Sequence, residues 1–562
     1  VRNMKLKVFN YMSKNKILVS SLFALLIAIS SYAFIPNSES RFSELLSEKI
    51  QKYVTKDTPE LPDWALLDPK DGYEGTRTLA FREYLKTAQT LNEPKQVVVA
   101  VIDGGMDINH PGLKDNIWQN TAEVNGVAGV DDDENGYIDD FNGWNFLGTQ
   151  ESLGMEFTRE YFRLKKEGVS ESDTYFKKVK DEYTDEKSEV MFMKIGLNSS
   201  VDELNKAEAI LKERNYPTDP DKLQKISNTL TGKYEEAASE ILNTYFLYGV
   251  KKDELVELQK EYDTKSKYLT DTTSTFLLIG DNPNLFVEKG YGNNKPNTGS
   301  LDHATHVAGI IAGNVNTVGQ SHYAKIMSVR CVPDEGDERD KDVANGIRYA
   351  VDNGASIINM SAGKYFSPDA DKVVEAMKYA EEKGVLFVTS SGNEGADIET
   401  KTNYPRKFIM ENGQMKFFSN MIVVGASTWM KEWSKEKDPE DFTGHFDLAA
   451  SFSNYSGKIV DVYAPGVQIN SCYPAPLYKR QDGTSMASPE VTGIAANLKA
   501  FFPNLTAAQL KEIITSSART YPGLEVRVRG KNSKVPFSSL SRSGGVVDMM
   551  NAFKRAYESP QN

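Results

Sequence analysis

Three short stretches of this 562-residue chain carry side chains that could do chemistry together: Val101-Ile102-Asp103-Gly104-Gly105, His303-Ala304-Thr305-His306-Val307-Ala308-Gly309 and Gly483-Thr484-Ser485-Met486-Ala487-Ser488-Pro489. A serine hydroxyl is a weak nucleophile and needs an adjacent base. Imidazole titrates near neutral pH and can take the proton. A carboxylate on the other ring nitrogen would hold the tautomer and stabilise the imidazolium. Only His110, His303, His306, His322 and His445 can supply an imidazole. Taken singly, an Asp after a strand is more often a turn residue and a Ser before a helix more often an N-cap. His303 and His306 at i,i+3 invite a metal reading, but no third ligand lies nearby in sequence, and zinc is not expected.

The elements around these stretches alternate strand and helix. Gln96–Asp103 is a β-branched run of the kind found in strands buried on both faces of a parallel sheet. Lys325–Arg330, Ala355–Met360, Val385–Ser390 and Met421–Ala426 read likewise, with amphipathic helical stretches at Lys341–Asn353 and Pro368–Lys383 between them. That alternation predicts βαβ units and an α/β fold, with Asp103 at the C-terminal strand edge where such sheets build their sites. His303 opens an apolar, small-residue helix, and a glycine turn delivers Ser485 to the first turn of another. From about Glu151 to Leu269 the chain is rich in Lys, Glu, Asp and Tyr with helical periodicity, which predicts a helical insertion whose charged surface is simply solvated.

Composition narrows the class. Apolar residues at 40% and charged residues at 26% describe an ordinary globular chain. A net charge of −13 disfavours nucleic acid as a partner. Cys331 and Cys472 allow at most one disulfide, and whether they pair stays open. The N-terminal segment has Lys5, Lys7, Lys14 and Lys16, an apolar run Ile17–Ile29 and then Ser31-Tyr32-Ala33, the pattern of an export signal cleaved after Ala33. The competing reading is an uncleaved anchor, since Ile17–Ile35 approaches the ~20 residues that span a bilayer.

The three stretches, in the order Asp, His, Ser, resemble the subtilisin-like serine proteases (subtilases). Ser390-Ser391-Gly392-Asn393-Glu394-Gly395 resembles the family's oxyanion asparagine segment, and Ser361-Ala362-Gly363 its substrate-pairing segment. Val462-Tyr463-Ala464-Pro465-Gly466 resembles a further landmark. The resemblance spans about 96–148 and 286–557. It implies a three-layer α/β/α fold around a mainly parallel sheet, and a serine endopeptidase with catalytic Asp103, His303, Ser485 and Asn393, substrate-binding Ser361, Ala362 and Gly363, and protein or peptide substrates. Four residues depart from the pattern: Gly104 for Ser or Thr, Ala304 for Gly, Asp482 for Asn and Glu490 for His. The last two would raise the His303 pKa if they lay within a few ångströms of it. An esterase reading fails, because Gly483-Thr484-Ser485-Met486-Ala487 lacks the second elbow glycine and His303 precedes Ser485.

Asp131, Asp133 and Asn135 with Gly136, the Tyr137 carbonyl and Asp139 match successive positions of an EF-hand-like loop, but Asn142 replaces the closing Glu. A structural calcium ion and a solvated acidic turn both account for this loop; no organic cofactor is expected. The expected division is a signal or anchor at 1–33, a prosegment or packing extension at 34–95, the peptidase domain at 96–150 and 278–562, and the insertion at 151–277. The expected protein is a monomer exported from a bacterial cell, secreted or in the envelope, and it meets the membrane only if the N-terminal segment is retained. The acidic loop and the segment after Asp281 resemble exported subtilases of the Bacteroidetes type. The alternative function is a weakly active or inactive subtilase-fold binding protein of the envelope.

Overall fold

Successive residues of strand β1 (Val97–Asp103) face opposite ways, and both faces are buried. Val97, Val99 and Val101 enter one hydrophobic core, whereas Ala100 and Ile102 enter the other. A strand can be apolar throughout only if helices cover both sides of its sheet. The computed structural model describes residues 61–559 apart from 89–92, 249–250, 316–318, 401, 439–442, 445 and 532.

β1 is the third strand from one edge of a nine-stranded sheet. On one side lie β3 (Ala324–Arg330) and then β2 (Gly143–Asn145); on the other lie β4 (Ile357–Met360) and β5 (Leu386–Ser390), followed by Met421–Ser427, Val462–Pro465, Gly545–Val546 and Arg519–Thr520. Every pairing is parallel except the last. Helices Asp302–Ala312 and Thr484–Phe501 pack one face through Val307, Ile311, Val491 and Ile494. Helices Asp340–Asp352 and Ala370–Glu382 pack the other through Val343, Ile347, Val374 and Met377. The result is the three-layer α/β/α architecture. Cys331 belongs to one core and Cys472 to the other, so the sheet separates them, and both are free thiols.

The chain forms two compact units. One comprises residues 59–181 and 268–562; Glu182–Lys267 falls in the other. In the latter, most of the helices Thr174–Lys212, Pro220–Ile226, Lys233–Tyr248 and Lys252–Tyr268 lies, with Met193, Leu197, Leu204, Leu211, Leu223 and Leu258 buried. In the former, residues 61–88 join the core rather than lie on it. Trp64 is fully buried, stands edge-on to Trp429 at 5.9 Å and donates from Nε1 to the Val467 carbonyl at 3.0 Å. Phe81 packs on Phe501 and Phe553, and Arg77 pairs with the buried Asp548. No helix among the described residues is long and apolar enough to cross a membrane. The expected signal or anchor at 1–33 and residues 34–60 of the following segment lie outside the described residues, as does His445.

Candidate active site

Asp103 ends β1 and is only 2% exposed. Its Oδ1 accepts the Gly104 N–H at 2.7 Å and lies 2.8 Å from His303 Nδ1. That hydrogen bond puts the proton of the neutral ring on Nδ1 and leaves Nε2 as the basic nitrogen. The ring projects from the first turn of helix Asp302–Ala312, and the His303 side chain is 40% exposed. Asp103 Oδ2 is buried without a hydrogen-bond partner. The missing group is legible in sequence, because Gly104 supplies no hydroxyl.

Ser485 stands in the first turn of helix Thr484–Phe501, the longest helix of the sheet layers, and its hydroxyl donates to the Ser361 carbonyl at 3.0 Å. The Ser361 hydroxyl donates back to the Ser485 carbonyl at 3.1 Å and contacts Ser488 Oγ at 2.7 Å. Ser361 directly follows β4, the neighbour of β1, so Ser485 and the Asp103–His303 pair lie along the C-terminal edges of adjacent strands.

The Asn393 carboxamide is held in one sense. Its Oδ1 accepts both the Thr484 N–H at 2.9 Å and the Thr484 hydroxyl at 2.7 Å, which turns Nδ2 outward as a donor. A Cβ placed on Gly483 would stand 3.7 Å from Asn393 Nδ2 and 3.5 Å from the Ser485 nitrogen. Gly483 itself has φ 154° and ψ 156°, a region essentially confined to glycine. The Asn393 amide nitrogen and the Ser485 nitrogen thus both lie near the space beside Gly483, at a helix N-terminus that favours negative charge.

Ala362 and Gly363 follow Ser361 along the same wall, and a side chain on Gly363 would meet the Asn403 carboxamide and the Tyr404 carbonyl. His306 is buried, and its Nε2 faces the Lys479 carbonyl at 3.0 Å; burial drives its pKa down to about 3. It is a neutral packing residue. His110 is likewise buried, with Nδ1 accepting the Gly112 N–H and Nε2 at the Leu477 carbonyl. Asp482 accepts from the backbone and side chain of Gln468, and Glu490 hydrogen-bonds Gln320. Both departures from the family pattern have partners of their own.

The acidic loop is organised largely by backbone N–H groups. Asp131 accepts from Asn135 and Gly136, Asn135 from Tyr137, and Asp139 from Gly129. Asp133 accepts from Asn135, and Glu123 from Asp132, Asp133 and Asp139; carboxylate oxygens of Asp133, Glu123 and Asp140 lie within 4.8 Å of one another. Neither Glu123 nor Asp140 belongs to the loop positions singled out from sequence. Burial pushes the Asp140 pKa up to about 6, against hydrogen bonds from Tyr349, Asn120 and Asn135. An all-oxygen donor set of this charge fits a hard cation such as calcium. Among the described residues, no other cluster of this kind occurs.

Comparison with known proteins follows the same lines. The model of the subtilase family matches residues 94–536, well over half of the chain. Thermitase of Thermoactinomyces vulgaris is 34% identical over 225 residues, 39% of this chain and 68% of that protein. Subtilisin DY of Bacillus licheniformis is 32% identical over 226 residues, 40% of this chain and 72% of its own. The thermophilic serine proteinase of Bacillus sp. (strain AK1) is 36% identical over 201 residues, 35% of this chain and 42% of its own.

Proposed function

We propose how the site works from one premise: this chain belongs to the subtilase family and is a serine-type endopeptidase acting on protein or peptide substrates. In our reading Ser485 Oγ attacks the scissile carbonyl carbon while its proton passes to His303 Nε2. Asp103, on the opposite ring nitrogen, stabilises the imidazolium and stays ionised. The carbonyl oxygen, now an anion, enters the point shared by Asn393 Nδ2 and the Ser485 N–H. Its collapse breaks the C–N bond, and His303 returns the proton to the departing amine. Water then attacks the acyl-enzyme with His303 again as base, releasing the acid and restoring the serine. Ser361, Ala362 and Gly363 pair with the substrate backbone.

The observation that carries this reading is the 2.8 Å hydrogen bond between Asp103 Oδ1 and His303 Nδ1. It supports the reading because it joins residues far apart in sequence and sets the tautomer in which Nε2 is the basic nitrogen. Labelling with a fluorophosphonate tests it. An adduct on the parent that Ser485→Ala abolishes is expected; a folded parent that takes no label would favour a binding protein built on the same fold.

Three further assignments belong to the proposal. Residues 61–88 act as a packing extension of the peptidase, supported by the buried Trp64 and Phe81, while 151–277 form an insertion within the domain of 96–150 and 278–562. Glu123, Asp133 and Asp140 hold a structural calcium ion that neutralises their mutual repulsion and braces the loop. The chain is exported, supported by its basic and then apolar N-terminal sequence.

A further inference from the structure

β1 stops at Asp103, but the chain runs on past that level from both of its neighbours, from β3 into residues 331–338 and from β4 into residues 361–364. A gap therefore opens over the end of β1. One wall starts beside Asp103, whose carbonyl accepts the Cys331 and Val332 N–H groups at 3.0 and 3.1 Å. The other starts at Ser361, bonded to Ser485. Backbone polar groups flanking a gap next to a nucleophile can receive an extended chain by strand-like hydrogen bonding.

The far end of the gap is bridged. Lys364 Nζ donates across it to the Glu338 carbonyl at 2.7 Å, and also pairs with Glu156 Oε2 at 2.6 Å and Asp340 Oδ1 at 2.8 Å. Glu156 opens the first helix of the insertion, Glu156–Lys166. It is held by Arg159 at 2.7 Å, and its N–H donates to Asp337 at 2.7 Å. The Lys364 backbone is fixed on its other side by paired hydrogen bonds with Tyr404 at 3.1 and 2.9 Å. Lys364, Glu156 and Asp340 are all buried. Burial works against their charges. Even so, Arg159 and Lys364 hold the Glu156 pKa down at about 2, and Glu156 and Asp340 hold that of Lys364 above its ordinary range. The bridge is ionised.

We propose that Lys364 is a positioning residue for substrate binding: anchored by Glu156 and Asp340, it ties wall 361–364 to wall 331–338 and sets the width of the cleft at its remote end. The inference rests on the reading of Ser361–Gly363 as the substrate-pairing segment. At ~3.3 Å per residue, Lys364 lies about 10 Å along an extended chain from Ser361, roughly three residues. The clamp therefore acts on the third and fourth acyl-side residues of a substrate and leaves the reacting bond alone. It makes the opening of the helical insertion part of the binding apparatus.

The test compares Glu156→Gln with the parent full-length chain. Three readouts are used: fluorophosphonate labelling, and hydrolysis of peptide p-nitroanilides with one or with four acyl-side residues. Labelling within about twofold of the parent is expected, with KM for the four-residue substrate raised about tenfold, kcat changed less than threefold and the one-residue substrate unaffected. Equal loss on both substrates, or no loss on the long one, overturns the proposal. If Glu156→Gln does not fold, Lys364→Arg and Glu156→Asp, which keep both charges, carry the test. A KM rise confined to the long substrate supports the clamp, and its absence overturns it. A parent that neither labels nor cleaves either substrate removes the proposed catalytic reading itself, a result distinct from selective loss on long substrates.

Discussion

Glu490 sits in the helix that carries Ser485, 1% exposed, with its carboxyl on the Gln320 side chain. Burial pushes its pKa up from 4.5 to about 8. Between those values the folded chain keeps a proton that the unfolded chain releases, so its contribution is fully present below about pH 4.5 and is lost as pH rises through about 8. At about 1.4 kcal/mol per pH unit, the loss across the whole window reaches about 5 kcal/mol as an upper bound. Water entry and side-chain relaxation reduce this, and about 2–3 kcal/mol is the expected size. Glu490→Gln keeps the shape and a hydrogen-bonding oxygen but cannot ionise. Both chains should be melted from pH 5 to pH 9 in a Ser485→Ala background, which prevents self-digestion. The two melting temperatures should coincide near pH 5, where Glu490 is neutral. Above pH 8 the Gln variant should melt about 4–6 °C higher, taking about 2 °C per kcal/mol for a large domain. Parallel curves across the whole range would refute the reasoning, since they would mean that the carboxylate is solvated in the folded state.

Other perturbations follow from the same geometry. Asn393→Ala should lower kcat by ~10²–10³ with little change in KM, the loss found for the equivalent asparagine of subtilisin; steady-state kinetics on one peptide substrate checks it, and a loss below threefold would remove Asn393 from the oxyanion site. Gly104→Ser should stabilise the fold by about 1 kcal/mol by giving the orphaned Asp103 Oδ2 a donor. A Cβ there has room, its nearest neighbours being 3.8 and 3.9 Å away, so denaturant melts showing no gain would mean that Oδ2 is already satisfied. If Glu123, Asp133 and Asp140 hold calcium, raising free calcium from zero to a hundredfold above its Kd should stabilise the parent by about 2.7 kcal/mol and Asp133→Asn by much less; equal responses would count against that site.

Much of the active-site edge is legible in the chain because its signals are local. Val97-Val98-Val99-Ala100-Val101-Ile102-Asp103 reads as a doubly buried strand from side-chain type alone, and alternation with amphipathic stretches such as Asp340–Asp352 implies a parallel sheet. The acidic loop is legible as a loop, while its converging carboxylates include Glu123 and Asp140, which its spacing does not single out. Spacing draws attention to Asp131, Asp133 and Asp139, whereas the carboxylates that converge are those of Glu123, Asp133 and Asp140. Turn geometry within a few residues decides which way a carboxylate points, and composition carries no record of it. Residues 61–88 were equally ambiguous. A Trp before an amphipathic helix suits a removable segment or a core piece, and its contact with Trp429 favours the second.

Strand, helix and turn types along this chain, and the residue types at the ends of its central strands, follow from the sequence itself, because each depends on neighbours a few positions away. The fold adds what depends on distance in space. It seats His303 Nδ1 on Asp103, fixes the Asn393 carboxamide on Thr484 next to Ser485, puts the two cysteines on opposite faces of the sheet and locks Lys364 between Glu156 and Asp340. Those arrangements arise where segments far apart in the chain pack against a shared sheet, and such packing is a property of the whole molecule that no local pattern encodes.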